Sequence, residues 1–403
     1  MLIISLCLFT LFMPLESIDL FGLTGSFSIA KIAGLWLTLL CLLQPKLYFA
    51  RPPQAFWGFI AYLLVSSITA VFYSAGYELE CFFTLTTLAQ HVLMFWLFYN
   101  LLKDRRLVNA MLISYSVGCI VFSCLMLSGI TIVGAEVNNE GGRISALGEN
   151  PNVIAYYISI GLIILIGLVI KQKIVKVKEM IILCPPVILI LYAIIRTGSR
   201  GGMLCVGIAV MAFIFAGKGW RNILLIFFIV SGLLAIAVYK IQHSDIALSR
   251  WVITFKEGNV ATRDEIMEQA FFMFTEKPIL GWGPAVHLRK LGDRTARTGP
   301  KDTHNDLLWV MTSVGLVGTI PFFIAICFCV ASAWRARKTI QGMLPMALIT
   351  AVLIMSMSGT IQNRKITGLV LAYAAASATY STERIKKREM GTWSNGNEIQ
   401  RYQ

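Results

Sequence analysis

Apolar runs recur along the chain at about 1–14, 27–43, 54–73, 82–102, 107–133, 153–170, 180–195, 201–217, 222–239, 306–333, 343–360 and 366–380. Each crosses or nearly crosses a bilayer core if helical. In lipid the backbone has to satisfy its own hydrogen bonds, which leaves helices or closed barrels as the solutions. The runs are too long and too uniformly apolar for barrel strands, so the sequence predicts an all-α polytopic membrane protein with about twelve transmembrane helices. Only 14% of residues are charged and mean hydropathy is +0.73, against about a quarter charged in a soluble domain.

The formal net charge of +14 does not point to nucleic acid, because the basic residues sit in short clusters between apolar runs. Lys46 and Arg51 come first, followed by Lys103, Arg105 and Arg106, then by Lys171, Lys173, Lys176 and Lys178. Lys218 with Arg221, then Arg335, Arg337 and Lys338, then Arg384, Lys386, Lys387 and Arg388 continue the series. These are alternate connections, and positive loops stay inside; both termini are expected in the cytoplasm. The chain divides into 1–239 with helices 1–9, an outer loop at 240–305 with an amphipathic helix, 306–380 with helices 10–12, and a cytoplasmic tail at 381–403. The first thirteen residues lack a basic flank and a small-residue cleavage site, so they read as a short first span and not a removed signal.

Some basic residues stand where that rule does not want them: Lys31, Arg196 with Arg200, Arg289 in the long loop, and Arg364 with Lys365. Charge near hydrocarbon is costly and usually functional, and together these residues suit an outward-facing anion site. The nine cysteines lie almost entirely inside apolar runs without a Cys-x-x-Cys, which argues against zinc or redox chemistry.

The stretch Thr262–Trp309 is the one long water-compatible insert. Thr262-Arg-Asp-Glu265 reads as a capping box, and Ile266, Met267, Ala270, Phe271 and Phe274 recur at helical spacing. Pro278, Gly281 and Gly283 then turn the chain into a basic loop that closes at His304-Asn305. Arg196-Thr-Gly-Ser-Arg200-Gly-Gly202 is a tight turn between spans. It is either a hairpin with snorkelling arginines or a guanidinium pair holding a diphosphate beside a helix start. Gly148-Glu-Asn-Pro-Asn152 reads as a turn and helix cap.

Among the histidines, His91 reads as structural and His243 has no special role. His287 is a solvated loop residue that could assist phosphate binding. His304, beside Asp302, Asn305 and Asp306, is either part of a hydrogen-bonding cluster at a helix start or a base for an acceptor hydroxyl. Asp302-x-His304-x-Asp306 does not share one helical face, so no metal is expected. The absence of a glycine-rich nucleotide fingerprint leaves no seat for a nucleotide-sugar donor.

Arg263-(x)6-Ala270, Lys277-Pro278-Ile-Leu-Gly281-Trp-Gly283, His304-Asn305-(x)2-Leu308, Gly315-Leu-Val-Gly318 and the turn Thr197-Gly-Ser-Arg200-Gly-Gly resemble, in that combination, the O-antigen ligase and O-antigen polymerase superfamily. The resemblance covers about 148–330 in motif order; Met267 stands where an aromatic residue is usual. It implies a C-type glycosyltransferase-like fold without metal or cofactor. The donor would be a glycan on undecaprenyl diphosphate, at the periplasmic face of the bacterial inner membrane. The acceptor would be lipid A-core in a ligase or a second lipid-linked glycan in a polymerase. By resemblance Arg200 and Arg263 engage the diphosphate and His304 activates the acceptor. From charge placement and the basic loop, Arg196, Lys31, Arg289, Arg364, Lys365 and His287 are expected to bind substrate around them. A lipid or polysaccharide transporter is the competing reading, though transporters usually show related halves and no internal repeat is evident here.

Overall fold

The computed structural model describes residues 1–16, 28–129, 138–140, 143–145, 149–171, 177–216, 231–232, 235, 239, 263–295 and 299–380. Nearly all of the ninth apolar run, Thr262 of the capping box, His243 and the tail from 381 lie outside the described residues.

Helices fall on the other apolar runs. They are α1 (Leu2–Phe12), α2 (Ile29–Leu42), a short α3 (Pro45–Tyr48), α4 (Gln54–Tyr73), α5 (Glu78–Leu101), α6 (Arg105–Ser128), α7 (Pro151–Lys171), α8 (Val177–Arg196) and α9 (Arg200–Met211). After the insert helices α10 (Arg263–Glu276) and α11 (Val286–Arg294) come α12 (Asp306–Ala336), α13 (Leu344–Ser356) and α14 (Lys365–Ser377). Among the described residues five are long and apolar enough to cross a membrane: α4, α5, α6, α7 and α12. The other apolar helices are shorter, with apolar stretches of 10–17 residues, Leu183–Arg196 in the case of α8. One small antiparallel hairpin, β1 (Asn138–Glu140) with β2 (Arg143–Ser145), departs from the all-α expectation.

Side chains set the helix ends. Ser28 caps α2 by accepting from the Lys31 N–H, and Asp104 caps α6 by accepting from the Arg106 N–H. Gly129 closes α6 in the left-handed conformation, the usual glycine stop. Helix α13 ends at Ser356, earlier than the run of apolar residues to 360 suggests.

Burial separates two kinds of apolar helix. In α7, Ile154 through Leu165 are buried almost without a break, as in a helix apolar all round at the centre of a bundle. Helices α4 and α5 instead expose Trp57, Leu64, Val71, Phe72, Phe82 and Phe83, a rim fit for lipid. Helix α12 packs along α4, and Gly58 lets the backbones meet: a Cβ there would lie 2.6 Å from the Pro321 carbonyl oxygen. Small residues at such contacts are typical of membrane helices.

Helix α12 is broken at Gly315, whose φ of 59° and ψ of −164° are not helical. The freed backbone groups are met by the Lys277–Gly283 segment. Trp282 and Gly283 donate their N–H groups to the carbonyls of Thr312 and Ser313, each at 2.8 Å. Leu316 and Val317 donate to Pro278 and Ile279 at 2.8 and 3.2 Å. A Cβ on Gly281 would lie 2.6 Å from Ser313 backbone, and one on Gly315 2.3 Å from the Ile279 oxygen. Both glycines also have positive φ, so close approach and conformation demand the same residue. This rail seats the insert on the membrane helices.

Candidate active site

Helix α12 starts at the site. Asn305 is its N-cap and accepts from the Leu308 N–H at 3.2 Å, which satisfies one of the orphan donors of the first turn. Asp306, buried at the first helical position, accepts from the N–H groups of Ile361 and Gln362 at 2.9 and 3.2 Å. Asp302 accepts from the His304 N–H at 3.1 Å and also from the Thr360 hydroxyl. Two carboxylates thus latch the α13–α14 connection to the chain on either side of His304. His304 itself is held at a φ of +52°; non-glycine residues in that region are uncommon and concentrate at functional sites.

The same connection receives the arginines. Arg263 opens α10 and its Nη1 donates to the Ser358 carbonyl at 2.9 Å. Arg200 opens α9 just after its N-cap Ser199, which accepts from the Gly202 N–H. Its neighbour Gly201 lies against Ser358, where a Cβ would sit 2.7 Å from Oγ. Ser199 in turn donates to Asn152 Oδ1 at 2.9 Å, tying this turn to the start of α7. There Asn150 accepts from the Asn152 N–H, as the turn-and-cap reading of that motif expects. Residues from four separate chain regions (Asn152, Arg200, Arg263 and His304) therefore gather around Ser358–Thr360. The assembly sets the Arg263 guanidinium on this connection and brings the backbone at Arg200 and His304 to the same place; guanidinium and imidazole are the groups suited to an anion and an adjacent proton transfer.

The remaining basic residues are placed otherwise. Arg364 pairs with Glu149 at 2.9 Å, Lys365 pairs with Glu16, and Arg289 pairs with Glu80 at 2.8 Å. Arg196 donates to the Tyr192 hydroxyl at 3.2 Å. Lys31 is exposed in the first turn of α2. His287, expected in solvent, is fully buried. Its Nδ1 meets the Gly283 carbonyl at 3.0 Å, and its ring stands edge-on to Trp309, centroids 4.7 Å apart. Burial pushes its pKa down to about 4, partly countered by that carbonyl. The rail that draws Gly283 onto α12 is what carries His287 inward.

Sequence reasoning missed Ser358–Gly359–Thr360, hidden at the end of an apolar run, and the partner role of Glu149. Gly359 was the available signal of a chain turn. Among the described residues no group of three or more His, Cys, Asp or Glu could hold a metal ion.

The family model described as O-antigen ligase matches residues 185–323. That match spans about a third of the chain and supports the O-antigen ligase and polymerase superfamily. The matched stretch includes Arg200, Arg263, the Lys277–Gly283 rail, His304 and the break in α12. That family transfers glycans, which supports an enzyme. No curated protein matches it. Among solved structures, a chain from "Structural coordination of polymerization and crosslinking by a peptidoglycan synthase complex" is 14% identical, with a TM-score of 0.45. That likeness covers 81% of this chain and 97% of the other.

Proposed function

We propose that this protein transfers a glycan from undecaprenyl diphosphate to an acceptor hydroxyl, as a ligase to lipid A-core or as a polymerase of surface polysaccharide. The reaction takes place at the periplasmic face of the bacterial inner membrane, with both termini in the cytoplasm. The observation that carries the reading is the convergence of Arg200, Arg263 and His304 on Ser358–Thr360, from regions more than a hundred residues apart in the case of Arg200 and His304.

The reaction is a single displacement. The acceptor oxygen forms a bond to the anomeric carbon as the bond from that carbon to the diphosphate oxygen breaks. The acceptor proton passes to the His304 imidazole, and the electron pair leaves with the diphosphate. Arg200 and Arg263 stabilise the charge that grows there, which is worth most in a site closed to water. Such a leaving group needs charge neutralisation more than protonation, so arginines serve without a metal ion. Helix α10, with Phe271 and Phe272 exposed on its surface, lies along the membrane and presents Arg263 to the lipid-borne donor.

The test is incubation of the purified protein with undecaprenyl-diphosphate glycan and separate candidate acceptors, with and without chelator. Extension of one acceptor with release of undecaprenyl diphosphate, unaffected by chelator, is expected. Movement of intact lipid-linked glycan across a vesicle membrane, with no acceptor extended, would replace this reading with the transporter.

A further inference from the structure

Among the described residues only His304 and Ala285 hold a positive φ without being glycine. Such a backbone persists where neighbouring groups over-determine it, and three neighbours do so at His304. Buried Thr303 donates its hydroxyl to the Asn305 carbonyl at 2.9 Å and accepts the Asn305 N–H at 3.4 Å. Asn305 is fixed in turn as the cap of α12. On the other side of His304, Asp302 Oδ1 accepts its N–H at 3.1 Å.

Asp302 also reaches across the chain, because the same Oδ1 accepts the Thr360 hydroxyl. An ionised carboxylate oxygen has lone pairs for two donors, and such bonds are roughly twice as strong as neutral ones. Thr360 is itself held on both sides. The next two N–H groups, of Ile361 and Gln362, are taken by Asp306 at 2.9 and 3.2 Å. Two residues earlier, the Ser358 carbonyl accepts from Arg263 at 2.9 Å. A short strut therefore runs from the Arg263 guanidinium through Ser358, Thr360 and Asp302 to the His304 backbone. In the proposed reaction Arg263 meets the departing diphosphate and His304 the acceptor proton, so the distance between them sets the chemistry. A misplacement of about 1 Å can cost about 10²-fold in rate.

We propose that Asp302, braced by Thr360, is the positioning residue that sets His304 against Arg263. The proposal rests on the reading of His304 as the base for the acceptor hydroxyl. Asp302 serves here through an acceptor oxygen that holds a backbone N–H and a hydroxyl. Asparagine offers the same oxygen without the charge, and alanine offers none.

The experiment uses the purified full-length protein with undecaprenyl-diphosphate glycan and an acceptor, and reads donor affinity and single-turnover transfer separately. Asp302→Ala should slow transfer by about tenfold, as expected for a hydrogen bond to a charged group, and leave donor affinity little changed. Asp302→Asn should recover most of that loss. On a His304→Ala background Asp302→Ala should slow transfer no further, since a residue acting through another has nothing left to act on. Thr360→Val should slow the same step and Thr360→Ser restore it, a pair that decides the matter should Asp302→Ala fail to fold. Equal loss in Asp302→Asn and Asp302→Ala, a further loss on the His304→Ala background, or a loss confined to donor affinity would each overturn the proposal. Full transfer by Asp302→Ala or Thr360→Val beside a crippled His304→Ala removes this proposal alone. Full transfer by His304→Ala removes the reading beneath it as well.

Discussion

Gly315 and Ile279 touch so closely that a single methyl group would not fit between them: a Cβ on Gly315 would lie 2.3 Å from the Ile279 carbonyl oxygen. Gly315→Ala should therefore lose both the positive φ and the rail. Positive φ alone costs a non-glycine residue about 1 kcal/mol or more. Gly299, also at positive φ but with open space where a Cβ would stand, isolates that part. Thermal unfolding of the purified protein should show a clearly larger drop in Tm for Gly315→Ala than for Gly299→Ala. Equal drops would mean that the rail contributes nothing.

Arg263 holds the Ser358 carbonyl through one guanidinium nitrogen, a geometry that a lysine cannot reproduce while also presenting a planar fork to phosphate. Arg263→Lys keeps the charge and should still lower transfer by about 10- to 100-fold, the range for one charge-assisted hydrogen bond of about 1.5–3 kcal/mol. Steady-state turnover on the lipid-linked donor measures it. Near-normal turnover would show that diffuse positive potential is all the site needs.

His304→Ala should bind the donor as before and lose most transfer, by about 10²–10⁴-fold, the usual contribution of a positioned base. Donor affinity and single-turnover transfer have to be measured separately. Lost donor binding with an intact chemical step would make His304 a phosphate ligand instead. His304→Gly relieves the positive φ, so it should be at least as stable as the alanine variant and equally inactive.

His287 gives the fold a pH dependence of definite sign. Its folded pKa, about 4, lies below the ordinary value near 6.5 for the unfolded chain. The unfolded chain therefore binds the proton first, and stability is fully present above about pH 6.5 and is lost as pH falls toward 4. For this shift the loss is on the order of 3 kcal/mol at the acid end. Melting curves of wild type and His287→Phe between pH 8 and 5 should converge at the acid end. A constant offset between them would remove the effect from His287.

Much of the bundle was legible because a lipid solvent leaves a chain few choices: long apolar runs became helices, and the turn-and-cap motif ending at Asn152 stands where α7 begins. Arg200, Arg263 and His304 stood out through motif spacing. Their meeting place was not, since Met357 continues the apolar pattern beyond the end of α13 at Ser356 and pattern alone does not say where a helix stops. Arg364, Lys365 and Arg289 were read as cations for a substrate. Their carboxylate partners Glu149, Glu16 and Glu80 lie 200 or more residues away, beyond any local periodicity. His287 was read as solvated because it lies in the basic loop; its burial follows from the tertiary rail, which draws Gly283 onto α12.

That rail also bears on how the chain is made. A break in a membrane helix leaves bare peptide groups in a medium that cannot solvate them, and α12 carries such a break ten residues from its start. Because 278–283 precede 312–317 in the chain, the template that satisfies those groups has already left the ribosome when they arrive. A transposition placing the same segment after α12 would keep every contact of the finished protein, yet would oblige a half-paired helix to wait in the bilayer for its partner.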